Sequence, residues 1–147
     1  MKLAWILWLA SVMPPSVADP LCLATTVYLE ARNQSVLGQR AVAEVALRRR
    51  ESGRWGDSVC AVVTAPKQFA PSLVKPDFRL ANLKAWNRAV AIAFHSERVW
   101  AIPNRNRQMV VPGADHFLAH HIADADWAQG VPVAQIGDHT FYKVVNL

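Results

Sequence analysis

The chain of 147 residues lacks any apolar stretch long enough to cross a membrane. Its most apolar stretch, Leu3–Val12, covers about ten residues before Pro14 and Pro15, whereas a membrane-spanning helix needs about 20. Internal repeats and low-complexity segments are also absent from the sequence. With 52% hydrophobic and 18% charged residues, the composition is that of a globular protein, and its length favours one domain.

The first 18 residues have the pattern of a secretory signal peptide. Lys2 provides a positive charge, Leu3–Val12 forms a short apolar core, and small residues up to Ala18 mark a cleavage site before Asp19. We therefore predict export to the periplasm or the cell exterior, with residues 19–147 as the mature domain and no stable membrane anchor after cleavage. The alternative is that the segment stays uncleaved as a signal anchor.

Cysteine is scarce, with only Cys22 and Cys60 in the chain. An even number of cysteines in an exported domain favours a disulfide, because the compartments outside the cytosol are oxidising. Such a bridge would close a loop of about 40 residues and stabilise the domain by about 3–4 kcal/mol. The alternative is a pair of buried free thiols.

Acidic residues are outnumbered, with 11 Asp and Glu against 16 Lys and Arg and a formal net charge of +5. Without Lys2, which lies in the predicted signal peptide, the net charge is +4. A basic exported protein suits an anionic surface such as cell wall, polysaccharide or membrane. The sequence shows no motif that reads a nucleic-acid groove, so we predict no nucleic-acid partner.

Helical periodicity dominates the chain up to Pro103. We predict helices at residues 19–32, 36–52, 59–64 and 80–98. Asp19 is the predicted N-cap of the first helix, with Pro20 at its first position. The predicted buried stripe of the last helix consists of Leu83, Trp86, Val90 and Phe94.

The remaining segments have loop or β composition. The proline-rich residues 67–79 are predicted as an irregular loop. Short strands are predicted at residues 110–111, 115–118 and 140–145. The predicted fold class is therefore α+β, a helical body with a small antiparallel sheet in the C-terminal part.

One carboxylate lies in an unusual position for a charged group. On a helix, Glu30 shares a stripe with Leu23 and Val27, seven and three residues earlier. Removal from water raises the pKa of a carboxyl group, and a carboxyl that stays protonated near neutral pH is suited to general acid catalysis. The alternative is a helix-end glutamate that reaches the solvent and pairs with Arg32 or Arg40.

Four short motifs occur in order between residues 21 and 143. They are Glu30-Ala31-Arg32 with Gly38–Val45, Ser58–Val63 with Gln68-Phe69, Gly113–Phe117 followed by Trp127, and Ile136–Tyr142. Together they resemble the signature motifs of the SleB/CwlJ-type cell-wall hydrolases, the spore cortex-lytic enzymes. The resemblance implies a lysozyme-like or lytic-transglycosylase-like fold that cleaves peptidoglycan without a cofactor, with Glu30 as the catalytic acid.

Neutral polar and aromatic side chains within these motifs are candidates for holding the sugars. The predicted substrate-binding residues are Gln68, Phe69, His116, His139 and Tyr142. Phe69 and Trp127 are explained equally well as core aromatics.

The chain departs from the family pattern at Gln34, which stands in place of an acidic residue. Arg48 in place of asparagine and Ala70 in place of serine are smaller departures. The other candidates for a second carboxylate are Glu44, Asp115, Asp126 and Asp138. Glu44 is predicted to face solvent, and we favour His116 and His139 in the cleft with their neighbouring aspartates facing away.

The missing acid bears on the reaction. Glycoside hydrolases commonly need two carboxylates. In a lytic transglycosylase one glutamate suffices, because the C6 hydroxyl of the muramic acid closes an anhydro ring. We therefore predict cleavage of the glycan strand by a lytic transglycosylase with Glu30 alone.

Two other functions fit parts of the sequence. A zinc amidase or peptidase acting on the stem peptide would use the cluster of His116, His120, His121, Asp115, Asp124 and Asp126. No His-Glu-x-x-His motif is present, however, and we predict no metal site. A wall-binding module without catalysis would explain Gln34 in place of an acid.

Overall fold

The computed structural model describes residues 1–119, 125–128 and 130–144. Its helices are α1 (Leu3–Val12), α2 (Pro15–Ala31), α3 (Val36–Ser52), α4 (Val59–Thr64), α5 (Ala70–Leu73) and α6 (Leu83–Trp100), and a turn of 3₁₀ helix covers Asn104–Asn106. The strands are β1 (His116–Ala119), β2 (Ala134–Ile136) and β3 (His139–Tyr142), which form an antiparallel sheet in the order β1-β3-β2. The predicted α+β fold class is confirmed. Within the described ranges, no helix is both long and apolar enough to cross a membrane.

Helix α2 is the central element and contacts each of the other α-helices, namely α1, α3, α4, α5 and α6. Leu23 and Val27 are fully buried on it. The helix begins at Pro15, four residues before the predicted start at Asp19. A proline at the first helical position is favoured because it has no N–H group to leave unpaired. The prediction that Asp19 is the N-cap of this helix is therefore wrong.

Asp19 and a disulfide connect α2 to α4. The Asp19 carboxylate is buried and accepts hydrogen bonds from the backbone N–H of Val59 at 3.0 Å and from the Arg50 guanidinium at 3.1 Å. It thus satisfies a free N–H group at the start of α4 from another helix. Cys22 and Cys60 form the predicted disulfide, which confirms that pairing.

Helix α1 packs against α2 with one face. Leu3 and Ile6 are buried, and the backbone N–H of Leu3 donates to the carbonyl oxygen of Phe78 at 2.8 Å. The opposite face exposes Trp5 and Trp8. This helix is the apolar part of the predicted signal peptide, whose cleavage site falls inside α2. Cleavage and export stay predictions.

Helices α3 and α4 have the predicted bounds, 36–52 and 59–64. Ser35 accepts a hydrogen bond from the backbone N–H of Gly38, and Ser58 accepts one from that of Ala61, so each helix has a side-chain N-cap. Gly53, with φ of 73°, ends α3 in the left-handed conformation that glycine adopts at little cost.

Helix α6 buries a different stripe from the predicted one. Its buried residues are Ala89, Ile92, Ala93, Ser96 and Trp100. Leu83 and Phe94, two members of the predicted stripe, are 65% and 47% exposed. Small alanine side chains allow close approach to α2 and α3, and the larger residues lie on the flanks.

The region after α4 differs from the prediction in three places. The loop predicted at 67–79 contains the short helix α5. Residues 110–111 are not a strand, and β2 was not predicted. β1 and β3 lie where strands were predicted, each shifted by one residue at its start. Residue 145, the predicted end of the last strand, lies outside the described residues.

Glu44 faces the interior rather than the solvent, so its predicted orientation is wrong. It is only 4% exposed, and its carboxylate accepts hydrogen bonds from the backbone N–H groups of Val110 at 2.7 Å and Val111 at 2.9 Å. Arg48 lies 3.8 Å from the same carboxylate. The carboxylate therefore attaches the segment before the sheet to α3.

Candidate active site

Glu30 lies in the last turn of α2, on the wall of a cavity of about 650 Å³ between the end of that helix and the sheet. The side chains and backbone of α2 and the following turn that line it belong to Leu29, Glu30, Arg32, Asn33 and Gln34. The sheet contributes Phe117, Leu118, Ala119, Asp138 and His139. The cavity is open to solvent on one side, so a polymer can enter it.

Burial raises the pKa of the Glu30 carboxyl to about 7, and a hydrogen bond from the backbone N–H of Ala70 partly opposes this rise. The desolvation predicted from the apolar stripe is thus present in the structure. Arg32, the predicted alternative partner, lies over the Tyr28 ring at 5.2 Å. Near neutral pH both forms of Glu30 are populated, so the group can donate a proton and accept one back.

Aromatic rings on one face of the sheet border the cavity. Phe117 pairs with Phe141 across β1 and β3, and neighbours two apart along a strand share a face, so His139 lies beside them. The Phe117 ring is 5.3 Å from the His139 ring and 5.8 Å from the Phe141 ring. Phe69 lies 5.8 Å from Phe117 and supports it from the helical side.

His116 lies on the opposite face of the sheet. It pairs with Tyr142 in the register of β1 and β3, and its ring is 4.7 Å from that of Trp127 and 5.8 Å from that of Trp55. Burial lowers the pKa of His116, and its hydrogen bond with Asp115 opposes that shift. The expectation that His116 and His139 both face one cleft with the aspartates turned away does not hold. The register of β1 against β3 places His116 on the opposite face from His139, and Asp138 lines the cavity together with His139.

Gln68 does not line the cavity, and its side chain is held by Arg49. The Arg49 guanidinium donates to the Gln68 side-chain oxygen at 3.0 Å and to the Asp115 carbonyl at 2.8 Å, and it lies over the Trp55 ring at 4.5 Å. Burial lowers the pKa of Arg49 to about 10, with Asp115 opposing the shift. Arg49 thus connects α3 to the start of β1. The position of Arg49 at the end of a predicted helix did not indicate that it would connect α3 to the sheet.

Of the six predicted site residues, Glu30 and His139 line the cavity together, and Phe69 lies directly behind it. Gln68, His116 and Tyr142 do not line it. Phe117 lines the cavity and was not predicted, and Asp138, a candidate for a second carboxylate that was expected to face away, lines it too. The available signal for Phe117 was period-two alternation. Residues two apart on a strand share a face, so Phe117 and Ala119 face the same way.

Gln34 closes one edge of the cavity by holding the β2–β3 turn. Its side-chain N–H donates to the Asp138 carboxylate at 2.9 Å, and its side-chain oxygen accepts from the backbone N–H of Asp138 at 3.0 Å. Gly137 has φ of 57°, and a Cβ atom there would lie 2.2 Å from the Gln34 oxygen. The Gln34 amide is suited to its contact with Asp138 because it both donates and accepts hydrogen bonds, which an ionised carboxylate cannot do.

Replacing Gln34 with the acid of the family pattern should weaken this contact. Gln34→Glu places two carboxylates together, and we expect it to lower the free energy of unfolding by about 1–2 kcal/mol at pH 7. The loss should shrink at pH 4, where the introduced glutamate carboxyl begins to protonate and can then donate a hydrogen bond. Urea unfolding at both pH values measures it.

Two further variants make this test specific. Gln135→Glu, the same change at an exposed position of the same hairpin, should alter the free energy of unfolding by less than about 0.5 kcal/mol. Adding Asp138→Asn to Gln34→Glu exchanges donor and acceptor and should restore most of the stability. If Gln34→Glu is as stable as the parent at pH 7, the contact has no energetic importance.

The His and Asp cluster of the alternative zinc-site hypothesis is not assembled in the described part of the chain. Among residues 1–119, 125–128 and 130–144, no group of three or more His, Cys, Asp or Glu side chains is placed to hold a metal ion. His120, His121 and Asp124 lie outside the described residues. His116 and His139 point to opposite faces of the sheet, so these two do not share a site.

Comparisons with known proteins agree with this architecture. A sequence model of the family described as Cell Wall Hydrolase matches residues 33–142, which is three quarters of the chain and begins just after Glu30. The crystal structure of the catalytic domain of the Bacillus cereus SleB protein superposes with a TM-score of 0.63 at 24% identity, covering 84% of this chain and 88% of that one. No curated protein matches the chain. The structural similarity confirms the fold predicted from the motifs.

Proposed function

The chain belongs to the Cell Wall Hydrolase family, and from this premise we propose that it cleaves the glycan strand of peptidoglycan as a lytic transglycosylase. Glu30 is its catalytic acid and then its base. One observation supports this most strongly: Glu30 is a largely buried carboxyl with a pKa of about 7 on the wall of an open cavity. A proton donor of that strength is what the departing sugar oxygen requires.

The reaction has two proton transfers through the same group. Protonated Glu30 gives its proton to the glycosidic oxygen as the bond to the muramic C1 breaks, leaving an oxocarbenium-like sugar. The Glu30 carboxylate then takes the proton of the muramic C6 hydroxyl as that oxygen bonds to C1. The products are a free hydroxyl end and a 1,6-anhydro end, and Glu30 is protonated again.

The sheet face supplies the substrate contacts in this proposal. His139 offers a ring nitrogen to a sugar hydroxyl or acetamido group, and Phe117 offers an apolar surface under a sugar ring. Phe69 and Gln68 act indirectly, through Phe117 and Arg49. His116 and Tyr142 lie on the opposite face of the sheet, where His116 is buried beside Trp55 and Trp127, so they do not contact the substrate in this proposal.

Hydrolysis is the second candidate outcome, and Asp138 is the observation that favours it. This carboxylate lines the same cavity as Glu30 and is held in place by Gln34. In a hydrolase that inverts the sugar, a second carboxylate activates a water on the opposite face of the ring. Asp138 is the residue that would take this role.

Mass spectrometry of the muropeptides released from purified peptidoglycan tests the proposal. We expect products that end in 1,6-anhydro-muramic acid, each 18 Da lighter than the corresponding hydrolysis product. Products with reducing muramic ends would instead show hydrolysis. Release of free stem peptides would show amide cleavage, which contradicts both glycan mechanisms.

The cell wall is the corresponding location. Membership in a wall hydrolase family and the Cys22–Cys60 disulfide both fit a compartment outside the cytosol. In this proposal the chain reaches that compartment through its first 18 residues.

A further inference from the structure

A second cavity, which we call the basic cavity, opens at the other end of β1 from Glu30. It measures about 690 Å³ and lies among the end of α3, the end of α6 and the start of the sheet. Its charged lining residues are Arg48, Glu51, Arg54, Asp115 and Lys143, and Trp55, Trp100 and Gly113 also line it. None of the substrate contacts proposed above uses it.

Positive charge in the basic cavity exceeds negative charge. Its carboxylates already have partners, because Glu51 lies 2.8 Å from Arg107 and Asp115 accepts a hydrogen bond from the backbone N–H of Val144 at 2.9 Å. Arg54 and Lys143, by contrast, are exposed, and among the described residues neither forms an ion pair. Two cations are therefore available to an anionic ligand.

The walls of the basic cavity are aromatic and fixed. Arg48 lies over the Trp100 ring at 5.4 Å and donates a hydrogen bond to the Ala114 carbonyl, so both side chains are held. Gly113, with φ of 76°, leaves room for Lys143, whose Cδ atom would lie 3.2 Å from a Cβ atom at that position. The cavity thus combines walls fixed by cation–aromatic contacts with two exposed cations, and exposed cations are suited to binding a carboxylate.

The separation of the two cavities suits a stem peptide. Asp115 lines the basic cavity and Ala119 lines the Glu30 cavity, four residues apart along an extended strand, or about 13 Å. An extended peptide of four residues spans about the same length. A stem attached to a muramic sugar in the Glu30 cavity is therefore long enough to span the strand between the two cavities.

We propose that the basic cavity binds a free carboxylate of the peptide stem on the strand being cleaved, through Arg54 and Lys143. This inference rests on the proposed glycan cleavage at Glu30. It makes the enzyme selective for strands that carry stems over strands that do not.

The test compares cleavage rates on one preparation of glycan strands before and after an amidase has removed the stems. Stripped strands keep the lactyl carboxylate of each muramic acid, so they remain anionic. We expect the full chain to cleave stem-bearing strands about five- to tenfold faster at subsaturating substrate. In the double variant Arg54→Gln/Lys143→Gln, that ratio should fall to about one.

The control variant is Lys84→Gln/Arg88→Gln, which removes two exposed cations of α6 that line neither cavity. Both double variants have the same net charge, so general attraction to the wall changes equally. The control should keep the parent ratio. Because each ratio compares two substrates with one protein, partial loss of folding does not alter it.

Two results would overturn the inference: a ratio near one for the parent protein, or an unchanged ratio in the Arg54→Gln/Lys143→Gln variant. Failure of the proposed function looks different. In that case the parent releases no glycan fragments from either preparation, or Glu30→Gln cleaves both as fast as the parent does.

Discussion

Replacing Glu30 with glutamine should reduce the rate of glycan cleavage by about a thousandfold or more. General acid catalysis by a positioned group contributes about 10²–10⁴ in rate, and in the proposed mechanism Glu30 takes part in both proton transfers. The amide has nearly the same size as the protonated carboxyl, so it fits the same buried position without a proton to give. Muropeptide release from purified peptidoglycan, followed over time, measures the loss.

The pH dependence of the parent enzyme should follow from the raised pKa of Glu30. Since the first step needs the protonated acid, the rate should decline as the pH rises through about 7. For an ordinary carboxyl with a pKa of 4.5 the decline would begin more than two pH units lower. A rate that stays constant from pH 5 to pH 9 would contradict Glu30 as the acid.

The stability of Glu30→Gln provides the folding control for this experiment. Between pH 4.5 and about 7 the folded parent binds a proton at Glu30 that the unfolded chain has released, so the parent loses stability as the pH rises. The glutamine variant has no such loss. Relative to the parent, it should gain roughly 2–3 kcal/mol in free energy of unfolding between pH 4 and pH 8. A folded variant with this gain and no activity isolates the missing proton as the cause.

Asp138→Asn is the comparison that separates one carboxylate from two. Under the transglycosylase mechanism it should lower the rate by no more than about tenfold, since Asp138 transfers no proton. Its side chain can still accept a hydrogen bond from Gln34. A loss as large as that of Glu30→Gln would instead assign Asp138 as the base of a hydrolase.

Local signals in the sequence were sufficient for the parts of the fold that local interactions determine. Ser35 and Gly53 specify the two ends of α3 through side-chain capping and a left-handed backbone, and both are visible in the sequence. Glu30 was predicted as the catalytic acid from the family resemblance, and its position on an apolar stripe predicted the desolvation that raises its pKa. Cys22 and Cys60 are the only cysteines in the sequence, so each had only the other as a possible disulfide partner within the chain.

The incorrect predictions concern features that tertiary packing decides. Periodicity on α6 allowed either of two stripes, and the narrower one with Ala89 and Ala93 is buried because α2 and α3 approach closely. His116 and His139 were both predicted to face one cleft, but their faces depend on the register of β1 against β3, which places His116 on the opposite side. Gln34 was interpreted as the loss of an acid, whereas its contact with Asp138 spans 104 positions in the chain.

Glu44 is the strongest example of such a long-range role, and its removal should cause the largest loss of stability. Glu44→Ala leaves the backbone N–H groups of Val110 and Val111 without their acceptor and Arg48 without its nearest carboxylate. Unpaired buried N–H groups cost about 1–3 kcal/mol each, and a partly buried unpaired charge adds to this. We expect the free energy of unfolding to fall by about 3–5 kcal/mol, measured by urea unfolding.

Two substitutions on α3 show whether burial or charge causes this loss. Glu51→Ala removes a carboxylate two turns further along α3 that is 45% exposed and pairs at 2.8 Å with Arg107, whose side chain is 7% exposed. It should cost about 1–2 kcal/mol, because Arg107 loses this partner but no backbone N–H group loses its acceptor. Glu44→Gln keeps one oxygen acceptor but turns an N–H group towards another N–H group, so its cost should lie between those of the two alanine variants. If Glu44→Ala costs no more than Glu51→Ala, the carboxylate does not hold the 110–111 segment. Because that segment leads into β1, the sheet side of both cavities would then have to be positioned by the other long-range contacts, those of Arg48, Arg49 and Gln34.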